Sequence, residues 1–127
     1  MVDSSVWIDY FNGTETLATK KLDDLLGVHP ICTGDLILAE VLQGFRQEHD
    51  YQTAKTLLCS LPVHTMLGVG MSLKSVENFR KLRKQGVTIR KTSDTMIATY
   101  CIENDLRLLH ADKDFQPFQQ FLGLRVA

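Results

Sequence analysis

The chain has 127 residues, with 15 acidic and 14 basic side chains, a formal net charge of -1 and 44% hydrophobic content. A domain near 150 residues buries roughly two-thirds of the surface its unfolded chain exposes, so one core and one domain over 1–127 are expected. The charge balance excludes a polybasic protein that wraps nucleic acid by bulk charge, and the composition excludes a mainly disordered chain.

The opening Met-Val-Asp-Ser-Ser carries no basic or apolar leader, and no run reaches the ~18–20 apolar residues that span a bilayer. A cytoplasmic protein with no membrane contact is expected. A short strand over 1–3 leads to Ser4 or Ser5 as N-cap of a helix carrying Val6, Trp7, Tyr10 and Phe11 and closed by Gly13. Ala18, Leu22, Leu25 and Leu26 repeat with helical spacing, and Gly27 stops them. Residues 28–33 read as a strand, Gly34 and Asp35 as turn and cap, and 36–45 as a mostly apolar helix interrupted by Glu40. Tyr51, Ala54, Leu57, Leu58 and Leu61 mark another helix, which Pro62 ends, and 63–66 form a third strand.

Leu73, Val76, Phe79 and Leu82 give a helical stripe that runs to Gly86, followed by a short extended piece over 87–89. Residues 94–104 read as a helix with Ile97, Ala98, Cys101 and Ile102 inward, and 106–110 as the clearest buried strand. A short segment over 115–122 and an edge strand over 124–126 complete the chain. Short strands alternating with helices imply a mainly parallel sheet, and the expected class is an α/β/α three-layer sandwich. Cys32, Cys59 and Cys101 are odd in number and far apart, which gives no disulfide framework or zinc ligand spacing and suggests buried or inert thiols. His29, His49, His64 and His110 are equally scattered.

In parallel α/β folds ligands bind beyond the carboxyl ends of strands. Asp3 and Asp112 follow the first and penultimate strands, Asp94 opens a helix, and Glu40 stands among Ile37, Leu38, Ala39, Val41 and Leu42. Each has an ordinary alternative: a turn or cap for the three aspartates, a solvated helix face for Glu40. Converging, they would repel one another unless a cation sat among them or some took up protons. Oxygen ligands without His or Cys favour Mg²⁺ or Mn²⁺, which suits phosphodiester hydrolysis. No Ser-His-Asp set, nucleophile elbow, P-loop or dinucleotide fingerprint is present to support another chemistry.

Four segments carry a resemblance: Val-Asp-Ser-Ser-Val-Trp-Ile-Asp at the start, Leu-Ile-Leu-Ala-Glu-Val-Leu-Gln-Gly ending at 44, Ser-Asp-Thr-Met-Ile-Ala-Thr from 93 and Leu-Leu-His-Ala-Asp-Lys-Asp-Phe from 108. In this order, over 2–126, they resemble PIN-domain proteins, and among these the VapC toxins of bacterial toxin–antitoxin pairs. The resemblance implies a PIN-like fold and a Mg²⁺- or Mn²⁺-dependent endoribonuclease. It places Asp3, Glu40, Asp94 and Asp112 at the family's acidic positions, with Asp114 as a further ligand or supporting contact and Ser5 as the small polar residue supporting Asp3. Two features depart from the pattern: only Met1 and Val2 precede Asp3, and His110 stands where many relatives have Thr.

Arg80, Lys81, Arg83, Lys84, Arg90 and Lys91 place six of the 14 basic residues between 80 and 91. They fit either a solvated helix end that complements the helix dipole or a phosphate-tracking rim leading to Asp94. Single-stranded or looped RNA is the expected substrate, because its bases can be splayed out. The resemblance further implies a VapB-like antitoxin lying in an apolar groove, for which Leu22, Leu25, Leu26, Leu42 and Phe45 are candidates, and a homodimer using the 51–61 and 73–82 helices. Core or partner packing is the expectation for Trp7, Tyr10 and Phe11. The competing readings are a noncatalytic RNA- or antitoxin-binding module and a receiver-like phosphoacceptor. The latter would want an acidic pair after the first strand and an acceptor Asp at the end of a middle strand, whereas Glu40 lies inside a helical pattern.

Overall fold

The computed structural model describes all residues, 1–127, in two compact units. The first comprises Met1–Thr65 and Leu109–Ala111, and the second comprises Met66–Leu108 and Asp112–Ala127.

In the first unit, helix α1 (Ser4–Phe11) starts where the Asp3 carboxylate accepts the Ser5 amide, satisfying a donor that the first helical turn leaves open. Trp7 is fully buried on its inner face. Helix α2 (Leu17–Leu25) is held by a reciprocal capping box between Thr16 and Thr19 and buries Leu22. Strand β1 (Thr33–Gly34) leads directly into α3 (Asp35–Leu42), which buries Ile37 and Val41, and α4 (Glu48–Cys59) buries Ala54 and Leu58. Strand β2 (Val63–His64) pairs parallel to β1, with Thr33 opposite Val63 and Gly34 opposite His64. A separate parallel bridge joins Val2 to Leu109.

In the second unit, α5 (Val69–Lys84) packs against α6 (Thr92–Glu103), and a 3₁₀ turn (Lys113–Phe115) runs into α7 (Gln116–Leu122). Between α5 and α6 the Asn78 amide donates to the Thr99 hydroxyl at 3.0 Å in a buried setting. Leu108 bridges Val126 in parallel. No helix is long and apolar enough to cross a membrane.

The helices match the expected ones to within a few residues, whereas the strands are much shorter. Residues 28–30 are not strand, because Val28 and His29 donate back to the Leu25 carbonyl and extend the end of α2. Residues 87–89 and the start of 106–110 are consumed similarly: Val87 donates to Leu82 and Leu106 to Cys101, around the left-handed Gly86 and Asp105. Each donor satisfies a helix-end carbonyl and is thereby withdrawn from a ladder.

The expected α5 stripe packs inward only toward its C-terminal end, at Leu82 and the half-buried Phe79. Ser75, Asn78 and Leu82 are buried, while Leu73 and Val76 are 60% and 54% exposed. Helical spacing marks a stripe without saying which stripe packs inward. All three cysteines are free: Cys101 is buried, Cys32 half-buried and Cys59 exposed.

Candidate metal centre

The first unit holds Asp3 and Glu40, each with its own supporting residue. Asp3 lies beside Leu109, to whose carbonyl its amide donates at 2.9 Å. Its Oδ2 accepts the Ser5 hydroxyl at 2.6 Å and the Ser5 amide at 3.0 Å, and that hydroxyl in turn accepts the Ala111 amide at 3.3 Å. Asp3 Oδ1 is buried with no hydrogen-bond partner. Burial pushes the Asp3 carboxyl above the usual aspartate range, opposed in part by the hydrogen bonds from Ser5 and the charge of His110. Glu40, half-buried on α3, accepts the Ser4 hydroxyl at 3.1 Å through Oε1. Adjacent serines therefore hold the two acidic residues, Ser5 on Asp3 and Ser4 on Glu40. Sequence reasoning identified only Ser5, because nothing in the spacing from 4 to 40 announces the second contact.

The second unit contributes a tighter group. Asp94, buried in the first turn of α6, and the half-buried Asp112 and Asp114 offer carboxylate oxygens that all lie within 4.8 Å of one another. The local reason is a cap: Asp112 Oδ1 accepts the Asp114 amide at 2.9 Å and starts the 3₁₀ turn, which brings the two aspartates to one side. Three such carboxylates are mutually destabilising without a positive charge among them. Part of that charge is Arg90, whose Nη2 and Nε approach Asp114 Oδ2 at 2.9 and 3.3 Å. The side-chain hydrogen bond and charge of Asp114, then Asp112 and Asp94, raise the guanidinium pKa. This contact was not legible in the sequence, where Arg90 reads only as part of the basic run.

These donors fit a hard divalent cation. In the Asp94, Asp112 and Asp114 group they are oxygens only, clustered and partly dehydrated.

The remaining basic residues, Arg80, Lys81, Arg83, Lys84 and Lys91, are exposed, and Lys81, Arg83 and Lys84 occupy the last turn of α5, where the helix dipole favours cations. Of the groove candidates, Leu25, Leu26, Leu42 and Phe45 are half-buried, but Leu22 is fully buried and lines no surface. Trp7 packs in the core as expected, stacked on Phe11 with centroids 5.7 Å apart.

Two curated relatives are similar to the whole chain. VapC ribonuclease Mb1587 of Mycobacterium bovis is 26% identical over 129 residues, covering 100% of this chain and 96% of that protein. Ribonuclease VapC11 of Mycobacterium tuberculosis matches with the same identity and coverage. Among solved structures, VapBC2 from Rickettsia felis, bound to a DNA fragment from their promoter, superposes with a TM-score of 0.75 at 18% identity, covering 100% of this chain and 96% of that one. VapBC-1 from nontypeable Haemophilus influenzae gives 0.73 at 20% identity, covering 100% and 95%. These likenesses support an α/β fold with parallel pairing, in agreement with the bridges seen here. The PIN-domain family model matches residues 1–119, a span that includes every acidic residue described above, and the chain belongs to the PIN-domain family.

Proposed function

We propose that this chain is the toxin of a toxin–antitoxin pair, a cytoplasmic endoribonuclease that hydrolyses RNA phosphodiester bonds with Mg²⁺ or Mn²⁺. The observation that carries the proposal is the Asp94, Asp112 and Asp114 cluster, three carboxylates within 4.8 Å on a PIN-family chain. The similarity to VapC ribonucleases supports the activity, and the similarity to VapBC structures supports a VapB-like antitoxin as partner.

Asp94 and Asp112 would hold the ion, with Asp114 as a further oxygen donor, and the resemblance adds Asp3 and Glu40 to the same reaction. When bound, the ion polarises a phosphate oxygen and makes water a better nucleophile near neutral pH. The protein's own part is positional. The Asp112 cap fixes Asp114, Ser5 orients Asp3, and Ser4 holds Glu40. The exposed cations of the 80–91 segment attract the polyanion, with Arg80, Lys81, Arg83, Lys84 and Lys91 as phosphate contacts.

The antitoxin is proposed to cover Leu25, Leu26, Leu42 and Phe45. A homodimer is proposed through α5, where Val69, Leu73 and Val76 form an exposed apolar stripe at i, i+4 and i+7. The whole chain, 1–127, is taken as one PIN domain.

The test is cleavage of total RNA by the purified protein with Mg²⁺, with chelator, and after Asp94→Asn. Removing a residue that only supports a metal ligand typically costs 10–100-fold, so losing a ligand should cost more than about 100-fold. Cleavage that persists in chelator, or is undiminished in the variant, would overturn the mechanism. RNA binding without metal and without cut products would favour the noncatalytic module.

A further inference from the structure

Arg90 is a cation paired with the acidic cluster, and its geometry is lopsided. The guanidinium places Nη2 and Nε on the single oxygen Asp114 Oδ2, while the Arg90 side chain is 72% exposed and that of Asp114 only 15%. The acceptor is thus fixed by its 3₁₀ turn, and the donor reaches in from solvent on a long flexible stem.

Two positive charges compete for this oxygen. A divalent ion held by Asp94, Asp112 and Asp114 would use the carboxylates that now attract Arg90 and would repel the guanidinium. An arginine cannot answer by losing its proton. It must move, and a side chain this exposed can do so without disturbing the core. The anion best matched to the freed guanidinium is a phosphate, whose oxygens accept its fork in a bidentate arrangement.

We propose that Arg90 is an exchange cation: it pairs with Asp114 in the metal-free protein and transfers to a phosphate of the RNA chain when a divalent ion enters the acidic cluster. This rests on the metal-dependent reading of the site. It distinguishes Arg90 from its neighbours in the basic run, because its share in RNA binding is conditional on the metal.

The test compares full-length wild type with Arg90→Ala and Arg90→Lys. In a Mn²⁺ titration followed by calorimetry, Arg90→Ala should bind Mn²⁺ about two- to fivefold more tightly, the range for release of an exposed ion pair. Binding of a fluorescein-labelled single-stranded RNA is then measured against salt, with Ca²⁺ or with chelator, and denaturing gels verify that the probe stays intact. With Ca²⁺, Arg90→Ala should flatten the slope of log affinity against log salt by about 0.7, one phosphate contact on a single strand. In chelator the slope should be unchanged, and Arg90→Lys, which keeps the charge, should retain the wild-type slope in Ca²⁺.

Weaker Mn²⁺ binding by Arg90→Ala would overturn the exchange and make Arg90 a clamp that prepares Asp114. An equal loss of slope with and without Ca²⁺ would overturn it too, leaving Arg90 a fixed rim cation. If wild type binds no Mn²⁺, the metal reading itself falls and the exchange with it. Normal Mn²⁺ binding with no effect of Arg90→Ala removes the exchange alone.

Discussion

Asp3 shows how burial can set one side chain's charge against the fold. Its carboxylate caps α1 and takes two hydrogen bonds from Ser5, yet burial still raises its pKa, and Oδ1 has no hydrogen-bond partner. For a carboxyl raised by burial, the group's contribution to stability is fully present below the ordinary aspartate range and is lost as pH rises through the folded-state value. Asp3→Asn keeps an oxygen to cap the helix and removes the titration. In chelator, therefore, the wild-type melting temperature should fall relative to that of Asp3→Asn as pH rises from acid to neutral. Each ~1 kcal/mol corresponds to roughly 2–8 °C in a domain of this size range. Parallel melting curves at all pH values would show that the buried charge carries no such cost. Ser4 and Ser5 belong to the same account, since their hydroxyls donate to carboxyl groups that are partly dehydrated.

Among the helices, the second unit depends on how α5 meets α6. A buried hydrogen bond from Asn78 to Thr99 takes the place of an apolar contact there, and Ser75 is buried on the same face of α5. A polar pair in such a setting fixes the register of two helices, because any slip leaves a donor or an acceptor unsatisfied. Asn78→Ala should destabilise the protein by about 1–3 kcal/mol, the cost of stranding a buried polar partner, read as a lower urea midpoint. Adding Thr99→Val should recover part of that loss, because both polar groups are then gone. A double variant as unstable as the sum of the two single variants would mean that the pair is not coupled. Turning the Asn78 face inward leaves Val69, Leu73 and Val76 outward, so one choice of helix face creates both the packed surface and the proposed dimer stripe.

Over the whole chain, the net charge of -1 averages two opposed groupings: the Asp94, Asp112 and Asp114 cluster, and a basic run between 80 and 91. Replacing Arg80, Lys81, Arg83 and Lys84 together by Ala should weaken single-stranded RNA binding and flatten its salt slope by up to about 2.8, at ~0.7 per phosphate contact. An unchanged slope would return the cluster to its role at the C-terminal end of the α5 dipole.

The sequence alone determined the helices, because caps and apolar spacing are local, and it determined the acidic residue types and their order, because chemistry restricts what can stand there. Only the tertiary structure decided how short the strands are, since a backbone donor at a helix end is spent either on closing the helix or on a ladder, and periodicity does not record which. The inward face of α5, the Ser4 support of Glu40 and the pairing of Arg90 with Asp114 were likewise decided in three dimensions. Each is a contact between residues far apart in the chain, and a run of charges or a helical stripe specifies the groups available without specifying their partners.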